Sequence, residues 1–247
     1  YWPAMLLSAG VPLPTEIFVH GYLTIAGQKI SKSLGNVIDP IALAEEFGSD
    51  SLRYYLLRRF PAADDGDFTR SGLIRTHNSE LADQLGNLLS RVEALVGKYY
   101  DGIVPAAGAP EAIDTALIAK AEQVPAQVRA ALDNFQLHNA AAAVWELIAE
   151  ANRYIVTIEP WKLAKERSDP NVEARIASCL YNLVELLRLA AGWSHAFIPE
   201  SSTRILERIG VAPAAAPFAE FGWGRYPAGT KLEGGPPLFP KREIDTT

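Results

Sequence analysis

The feature that most limits what this chain can become is a helical period that begins near Ser71 and persists to about residue 211. Leu81, Leu85, Leu88, Val92 and Leu95 recur at spacings of three and four, which makes one apolar face of a long helix. Asp101-Gly102 ends it, and the proline- and alanine-rich residues 104–110 read as a connector. A second helix carries Ile113, Leu117, Val124, Val128 and Leu132, and Pro125 is expected to kink it or divide it in two. A third carries Leu137, Val144, Ile148 and Ile155 and stops before Pro160. A fourth follows Asp169-Pro170 with Val172, Ile176, Leu180, Leu183 and Leu187, and a short one lies at 202–209. Such lengths with short joints predict an antiparallel helical bundle. Residues 212–247 are rich in proline and glycine and lack a period, so they read as an extended tail laid on other parts of the protein or partly mobile.

The opening 38 residues obey a different rule. Ile17-Phe18-Val19 and Tyr22-Leu23-Thr24-Ile25 are β-rich runs separated by His20-Gly21, and Ala26-Gly27 breaks the pattern. Helical signal starts at Asp39-Pro40, with Asp as N-cap and Pro in the first turn, breaks near Gly48, resumes through Leu52, Tyr55, Leu56 and Arg59, and stops at Pro61. Asp64-Asp65-Gly66-Asp67 reads as a turn. Between strand and helix lies Lys29-Ile30-Ser31-Lys32-Ser33-Leu34-Gly35-Asn36. Two lysines three apart, interleaved with serines and flanked by glycines, suit a mobile clamp on a polyphosphate whose charge grows as a bond breaks. On composition alone a solvated surface loop explains them as well.

Charge excludes a broad nucleic-acid footprint. The net charge is −6, and both the first 91 residues (8 basic, 10 acidic) and the remainder (15 basic, 19 acidic) are acidic. Any RNA contact must come from a local patch. The single cysteine, Cys179, excludes an internal disulfide or a Cys-based zinc site, and its helical setting predicts a buried, inert thiol. No apolar run is long enough for a conventional membrane span. The aspartates at 64, 65 and 67 only superficially resemble a calcium loop, because the twelfth position from Asp64 is Arg75 where a bidentate Glu is required. His77, His138 and His195 show no ligand spacing, and neither a Ser-His-Asp arrangement nor a Walker loop is present.

The lysine loop resembles the KMSKS signature of class I aminoacyl-tRNA synthetases, with Ile30 where Met is usual. Its surroundings narrow the resemblance. Tyr1-Trp2-Pro3-Ala4-Met5-Leu6, Phe18-Val19-His20-Gly21-Tyr22-Leu23, Asp50-Ser51-Leu52-Arg53-Tyr54-Tyr55, Asp65-Gly66-Asp67-Phe68, Leu85-Gly86-Asn87-Leu88-Leu89, Pro160-Trp161-Lys162-Leu163-Ala164 and Pro237-Leu238-Phe239-Pro240 occur in the order found in the methionyl-tRNA synthetase family. The family's His-Ile-Gly-His-type motif and connective insertion do not occur here. The resemblance therefore implies a C-terminal portion that starts late in the catalytic domain. The expected fold is mainly α, the C-terminal end of a Rossmann-like α/β catalytic domain followed by a helical anticodon-binding bundle. Residues 1–38 would finish the catalytic domain, 39–70 would be the stem-contact-like linker, 71–211 the anticodon-binding domain and 212–247 the tail.

The same resemblance implies roles. Lys32 would contact the phosphates of ATP and stabilise the transition state of methionyl-adenylate formation, with Lys29 assisting and Ser31 and Ser33 shaping the loop. His20 and Gly21 would meet the adenosine, although a lone His is as readily a structural hydrogen-bonder. Trp2 would wall the methionine pocket, or be a core aromatic. Asn87 and Arg91, four apart on one helix face beside the apolar stripe, would read the anticodon, or form a plain polar margin. Trp161, at a helix junction, would stack on an anticodon base, or plug the core, and Lys162 and Lys165 could meet phosphates. Implied substrates and partners are Mg2+-bound ATP, methionine, tRNA(Met) and the missing N-terminal catalytic part, in the cytoplasm, with no metal site in this stretch. On this reading the 247-residue chain alone is inactive. The competing readings are another class I synthetase, of the leucyl, isoleucyl, valyl or cysteinyl type, or a non-catalytic tRNA-binding module.

Overall fold

The computed structural model describes residues 1–31, 33, 35–212 and 222–243. The chain opens with a short helix, α1 (Trp2–Ser8), that buries none of its side chains. Two short strands follow, β1 (Leu23–Ile25) and β2 (Gln28–Lys29), paired antiparallel with Thr24 opposite Lys29. Their two-residue turn, Ala26-Gly27, has φ of 51° and 70°, the double left-handed geometry whose twist suits a hairpin. The expected run Ile17-Phe18-Val19 forms no strand. Its side chains are exposed, and an extended segment without a partner strand gains no ladder.

Helix α2 (Pro40–Phe47) starts as its sequence predicts, with Asp39 Oδ1 accepting the Ile41 N–H at 2.8 Å and Pro40 in the first turn. Gly48, at φ 86°, separates it from α3 (Ser49–Arg59). The acidic turn that follows contributes β3 (Gly66–Phe68), which pairs parallel with β1 so that the order is β2-β1-β3. Leu43, Phe47, Leu52, Tyr55, Phe68, Leu73 and Ile74 make a small core of their own around these elements.

The long apolar face is real, but its helix is not uniform. The run consists of α4 (Arg70–Thr76), a π-helical stretch His77–Gly86, and α5 (Asn87–Tyr100). Leu81, Leu85, Leu88 and Val92 are fully buried along it. The π stretch turns two polar residues, His77 and Glu80, inward where they meet partners on α3. Tyr54 donates to Glu80, Arg58 Nε lies 3.1 Å from the same carboxylate, and Glu80's backbone oxygen accepts the indole N–H of Trp145 at 3.1 Å.

Helices α6 (Ala112–Asp133), α7 (Leu137–Ile158), α9 (Pro170–Ser194) and α10 (Pro199–Arg208) complete the bundle, with a single short turn α8 (Pro160–Leu163) and a 3-10 turn Ala164–Glu166 between α7 and α9. The expected division of α6 at Pro125 does not occur. Leu117, Ala121, Val124, Val128 and Ala131 continue one buried face through the proline, and their packing holds both halves in a single helix. Asp114 is buried beneath this bundle. Burial alone would raise its pKa, but hydrogen bonds from Arg175, from Tyr154 at 2.5 Å and from the Glu111 N–H outweigh that and hold it below the ordinary carboxylate value.

Of the expected tail, residues 222–243 lie as an extended strap on the bundle. Tyr226, Leu232 and Phe239 are buried in the main core. The strap exchanges backbone bonds with the connector after α5: Val104 N–H to Thr230 O at 2.9 Å and Leu232 N–H to Gly102 O at 2.8 Å. Arg208 holds it from the other side, paired with Glu93 and donating to the carbonyls of Gly235 and Pro236.

Candidate functional site

Two side chains of the acidic turn, Asp65 and Asp67, build the platform for the lysine loop. Asp67 Oδ1 accepts the Thr24 hydroxyl at 2.7 Å and the Gly27 N–H at 2.8 Å, clamping the hairpin turn and lowering the pKa of Asp67. Asp65 Oδ1 accepts the Tyr22 N–H at 2.7 Å. Gly21 donates to Ala62 O at 2.9 Å, and a Cβ on it would overlap the Asp64 carbonyl. The close approach that glycine permits here is therefore to the turn beneath it. His20, exposed, places Nδ1 2.8 Å from the Gly21 oxygen.

The loop leaves this platform from β2. Lys29 is exposed, its ammonium 6.0 Å from the centre of the Tyr22 ring. Ser31 and Ser33 have hydroxyl oxygens 2.8 Å apart. Lys32 lies outside the described residues. The side chain that ties the loop is Asn36. Its Oδ1 accepts the Ser31 N–H at 2.8 Å, and its Nδ2 donates to Lys29 O at 3.1 Å. An amide can do both at once, which neither Asp nor Leu can. Asn36 was not among the expected site residues. The available signal was an Asn directly after a loop glycine, a position where side-chain-to-backbone bonding is common.

Trp2 is 56% exposed, and other large apolar side chains of the first 22 residues are exposed as well, including Met5, Leu7, Ile17, Val19 and Tyr22. That is much uncovered apolar surface for so short a segment.

The second cluster sits on the bundle. Asn87, the first residue of α5, is exposed, and Arg91 is half-buried one turn later. Trp161 belongs to α8, which follows Glu159 in the left-handed conformation (φ 50°) and opens on Pro160. That sharp exit from α7 brings Trp161 against α5, with the Arg91 guanidinium carbon 5.6 Å from the ring centre. Trp161 is half-buried, one part packed on the core and another open to solvent. Asn87 also lines a cleft of about 510 Å³ with Asp83, Ser90, Leu238, Phe239 and Lys241, so the strap forms one of its walls. Phe239 seats against Gly86, where a Cβ would crowd both the ring and the Leu81 carbonyl. Lys162 and Lys165 are both exposed, and Lys162, expected to be available to phosphate, is paired with Glu159 at 2.8 Å.

Other chemistry-bearing residues are committed to the fold. Cys179 is buried, which pushes its thiol pKa up to about 12 and leaves it protonated. His77 is held between the Ser51 hydroxyl and the Pro240 carbonyl. Among the described residues no group of three or more His, Cys, Asp or Glu is placed to hold a metal ion, and no helix is long and apolar enough to cross a membrane.

Comparison with known proteins adds an independent finding. Residues 1–93 match the family described as tRNA synthetases class I (M), and residues 104–245 match the anticodon binding domain of methionyl tRNA ligase. The methionine–tRNA ligase of Caldanaerobacter subterraneus is 39% identical over 244 residues, covering 99% of this chain and 38% of the relative. That of Mycobacterium tuberculosis is 41% identical over 241 residues, covering 98% and 46%. A solved structure of Mycobacterium tuberculosis methionyl-tRNA synthetase in complex with methionyl-adenylate superposes with a TM-score of 0.91 at 40% identity, over 97% of this chain and 47% of that one. The chain spans less than half the length of the relatives it matches.

Proposed function

Because the chain belongs to the methionyl-tRNA ligase family, we propose that it works as the C-terminal portion of an enzyme that activates methionine and transfers it to tRNA(Met). In the first step the methionine carboxylate attacks the α-phosphate of Mg2+-bound ATP, forming the adenylate and releasing pyrophosphate. In the second a terminal ribose hydroxyl of the tRNA takes the methionyl group and AMP leaves. Residues 1–38 end the nucleotide-binding domain, 39–70 are the stem-contact region, 71–211 the anticodon-binding domain and 212–247 the tail. The exposed apolar side chains of residues 1–22 fit a surface covered by the rest of the catalytic domain, with Trp2 on the methionine pocket. The cytoplasm is the compartment we assign.

The lysine loop meets the leaving pyrophosphate. Negative charge on the β- and γ-phosphates grows as the α–β bond breaks, so an ammonium delivered there lowers the barrier more than it strengthens ground-state binding. We assign Lys32 to that contact and Lys29 to its support, Ser31 and Ser33 to loop shape, and His20 and Gly21 to the adenosine side. Asn87, Arg91 and Trp161 read the anticodon, Trp161 by stacking and the other two by hydrogen bonds to base edges.

The observation that carries this reading is the Arg91–Trp161 pair, a guanidinium and a partly open indole 5.6 Å apart, beside the exposed amide of Asn87. The test is binding of the longer enzyme to a tRNA with the methionine anticodon and to the same tRNA with the anticodon replaced. Trp161→Ala is expected to weaken the matched complex by ~1–3 kcal/mol, the usual stacking loss, and to leave the swapped one nearly unchanged. Equal losses on both would reduce Trp161 to a structural residue.

A further inference from the structure

The aromatic and cationic contacts on α5 do not stop at Arg91. The segment from Trp161 to Arg167 runs alongside the helix. Trp161 meets α5 at Arg91, and Arg167 meets it at its last turn, 4.7 Å from the Tyr100 ring centre and 5.9 Å from that of Tyr99. Lys98 stands at this second point, its ammonium 5.3 Å from the Tyr99 ring centre. Residues 87, 91 and 98 are four and seven positions apart, so at 3.6 residues per turn they share one face of α5.

The charges along this face are unequal in availability. Arg167 is committed to Glu173, with Nε 2.5 Å and Nη2 3.0 Å from the carboxylate oxygens, so it fastens the segment to α9. Glu93, the one carboxylate within α5, is committed to Arg208, and Asp101, three positions on at the helix C-cap, forms no ion pair with Lys98 among the described residues. Among the described residues Lys98 forms no ion pair, and neither does Arg91. In a chain of net charge −6, two unneutralised cations on the face that carries Asn87 make a local positive stripe with aromatic rings between them.

We propose that Lys98 is a backbone-phosphate contact for the anticodon arm of the tRNA, one that extends the anticodon-reading surface along α5. The proposal rests on the assignment of Asn87, Arg91 and Trp161 to the anticodon. Seven residues at 1.5 Å rise put Lys98 about 10 Å beyond Arg91 along the helix. A strand whose base stacks at Trp161 and whose backbone follows α5 toward Tyr100 carries its neighbouring phosphates past Lys98, and a mobile ammonium point charge suits a phosphate oxygen without reading sequence.

The experiment is tRNA binding by the longer enzyme carrying Lys98→Gln, measured on matched and anticodon-swapped transcripts over a salt series. Lys98 is exposed, so the substitution leaves the core intact. Losing one phosphate contact to a single strand flattens the log–log salt slope by about 0.7 and weakens binding about five-fold at 0.1 M salt, equally on both transcripts. Lys98→Arg should retain affinity. Unchanged affinity and slope for Lys98→Gln would overturn the proposal, as would a loss confined to the matched transcript, which would make the contact a base contact. The anticodon reading is tested separately by Trp161→Ala: its failure appears as equal losses in that variant and leaves the Lys98 result to be read from the salt slope.

Discussion

Asn36 offers a sharp test of how the lysine loop is held. Replacing it with Ala removes two hydrogen bonds, one from the Ser31 N–H at 2.8 Å and one to Lys29 O at 3.1 Å, and these tie the two ends of the loop together. The contacts are partly or fully exposed, so each is a neutral bond worth about 1 kcal/mol net. Their joint loss takes about 2 kcal/mol from the ordered form of the loop. If that ordering delivers an ammonium to the leaving pyrophosphate, the loss falls on the transition state and slows adenylate formation roughly 30-fold. The proposed methionine contact, Trp2, lies outside the loop, so on this reading the methionine KM should hardly move. Single-turnover formation of methionyl-adenylate by the longer enzyme, Asn36→Ala against wild type, measures both. An unchanged rate, or a defect confined to methionine KM, would refute the view that Asn36 organises the loop.

Other expectations are more direct. Lys32→Ala should lower the rate of adenylate formation by about 10²–10³, the cost of one preorganised electrostatic contact, with little effect on methionine affinity in equilibrium binding. The 247-residue chain alone should show no methionine-dependent exchange of pyrophosphate into ATP, and robust exchange would refute the division of labour proposed above. Burial, reinforced by the Arg242 charge, holds the His77 pKa below its ordinary 6.5 despite the hydrogen bond to the Pro240 carbonyl. The folded state therefore resists the proton that the unfolded chain accepts, so the stability contributed above pH 6.5 is lost as pH falls through the lowered pKa. Urea midpoints across that range should decline in wild type, and the decline should be shallower in His77→Gln.

Patterning carried the outer helices of the bundle because burial there is one-sided, whereas α9 is buried on every face from Ser178 to Ala191. Leu81, Leu85, Leu88 and Val92 fall on one face whether the turns are α or π, so their period survives the irregularity between His77 and Gly86. The irregularity itself has no local signature. It accompanies the meeting of His77 with Ser51 and of Glu80 with Tyr54 and Arg58, each 22 or 26 positions away in sequence. Pro125 misleads for the opposite reason: its local cost is visible, whereas the packing of Val124 and Val128 that overrides it is tertiary. In the candidate site, residue types and order pointed to the lysine loop and to the Asn87, Arg91 and Trp161 group, and the structure brings Arg91 and Trp161 together. What sequence could not show is which polar residues hold those parts in place. Asn36, Asp65 and Asp67 act through backbone groups, and such partners become evident only once the turn of Gly21 over Asp64 is formed.

The strap has a consequence for the order in which the molecule assembles. His77 and Asn78 bond to Pro240 and Arg242 across separations of 163 and 164 residues, whereas the helices of the bundle meet largely through neighbours in sequence. Loop-closure entropy makes such distant contacts slow to form and unrewarding until the intervening structure exists. The bundle is therefore expected to condense first, with the berths for Tyr226, Leu232 and Phe239 still open, and the strap to settle into them afterwards; protection of the strap amides before those of α7 and α9 in pulsed hydrogen exchange would refute that order. The cleft beside Asn87, one wall of which is Leu238, Phe239 and Lys241, has its full shape only with the strap seated.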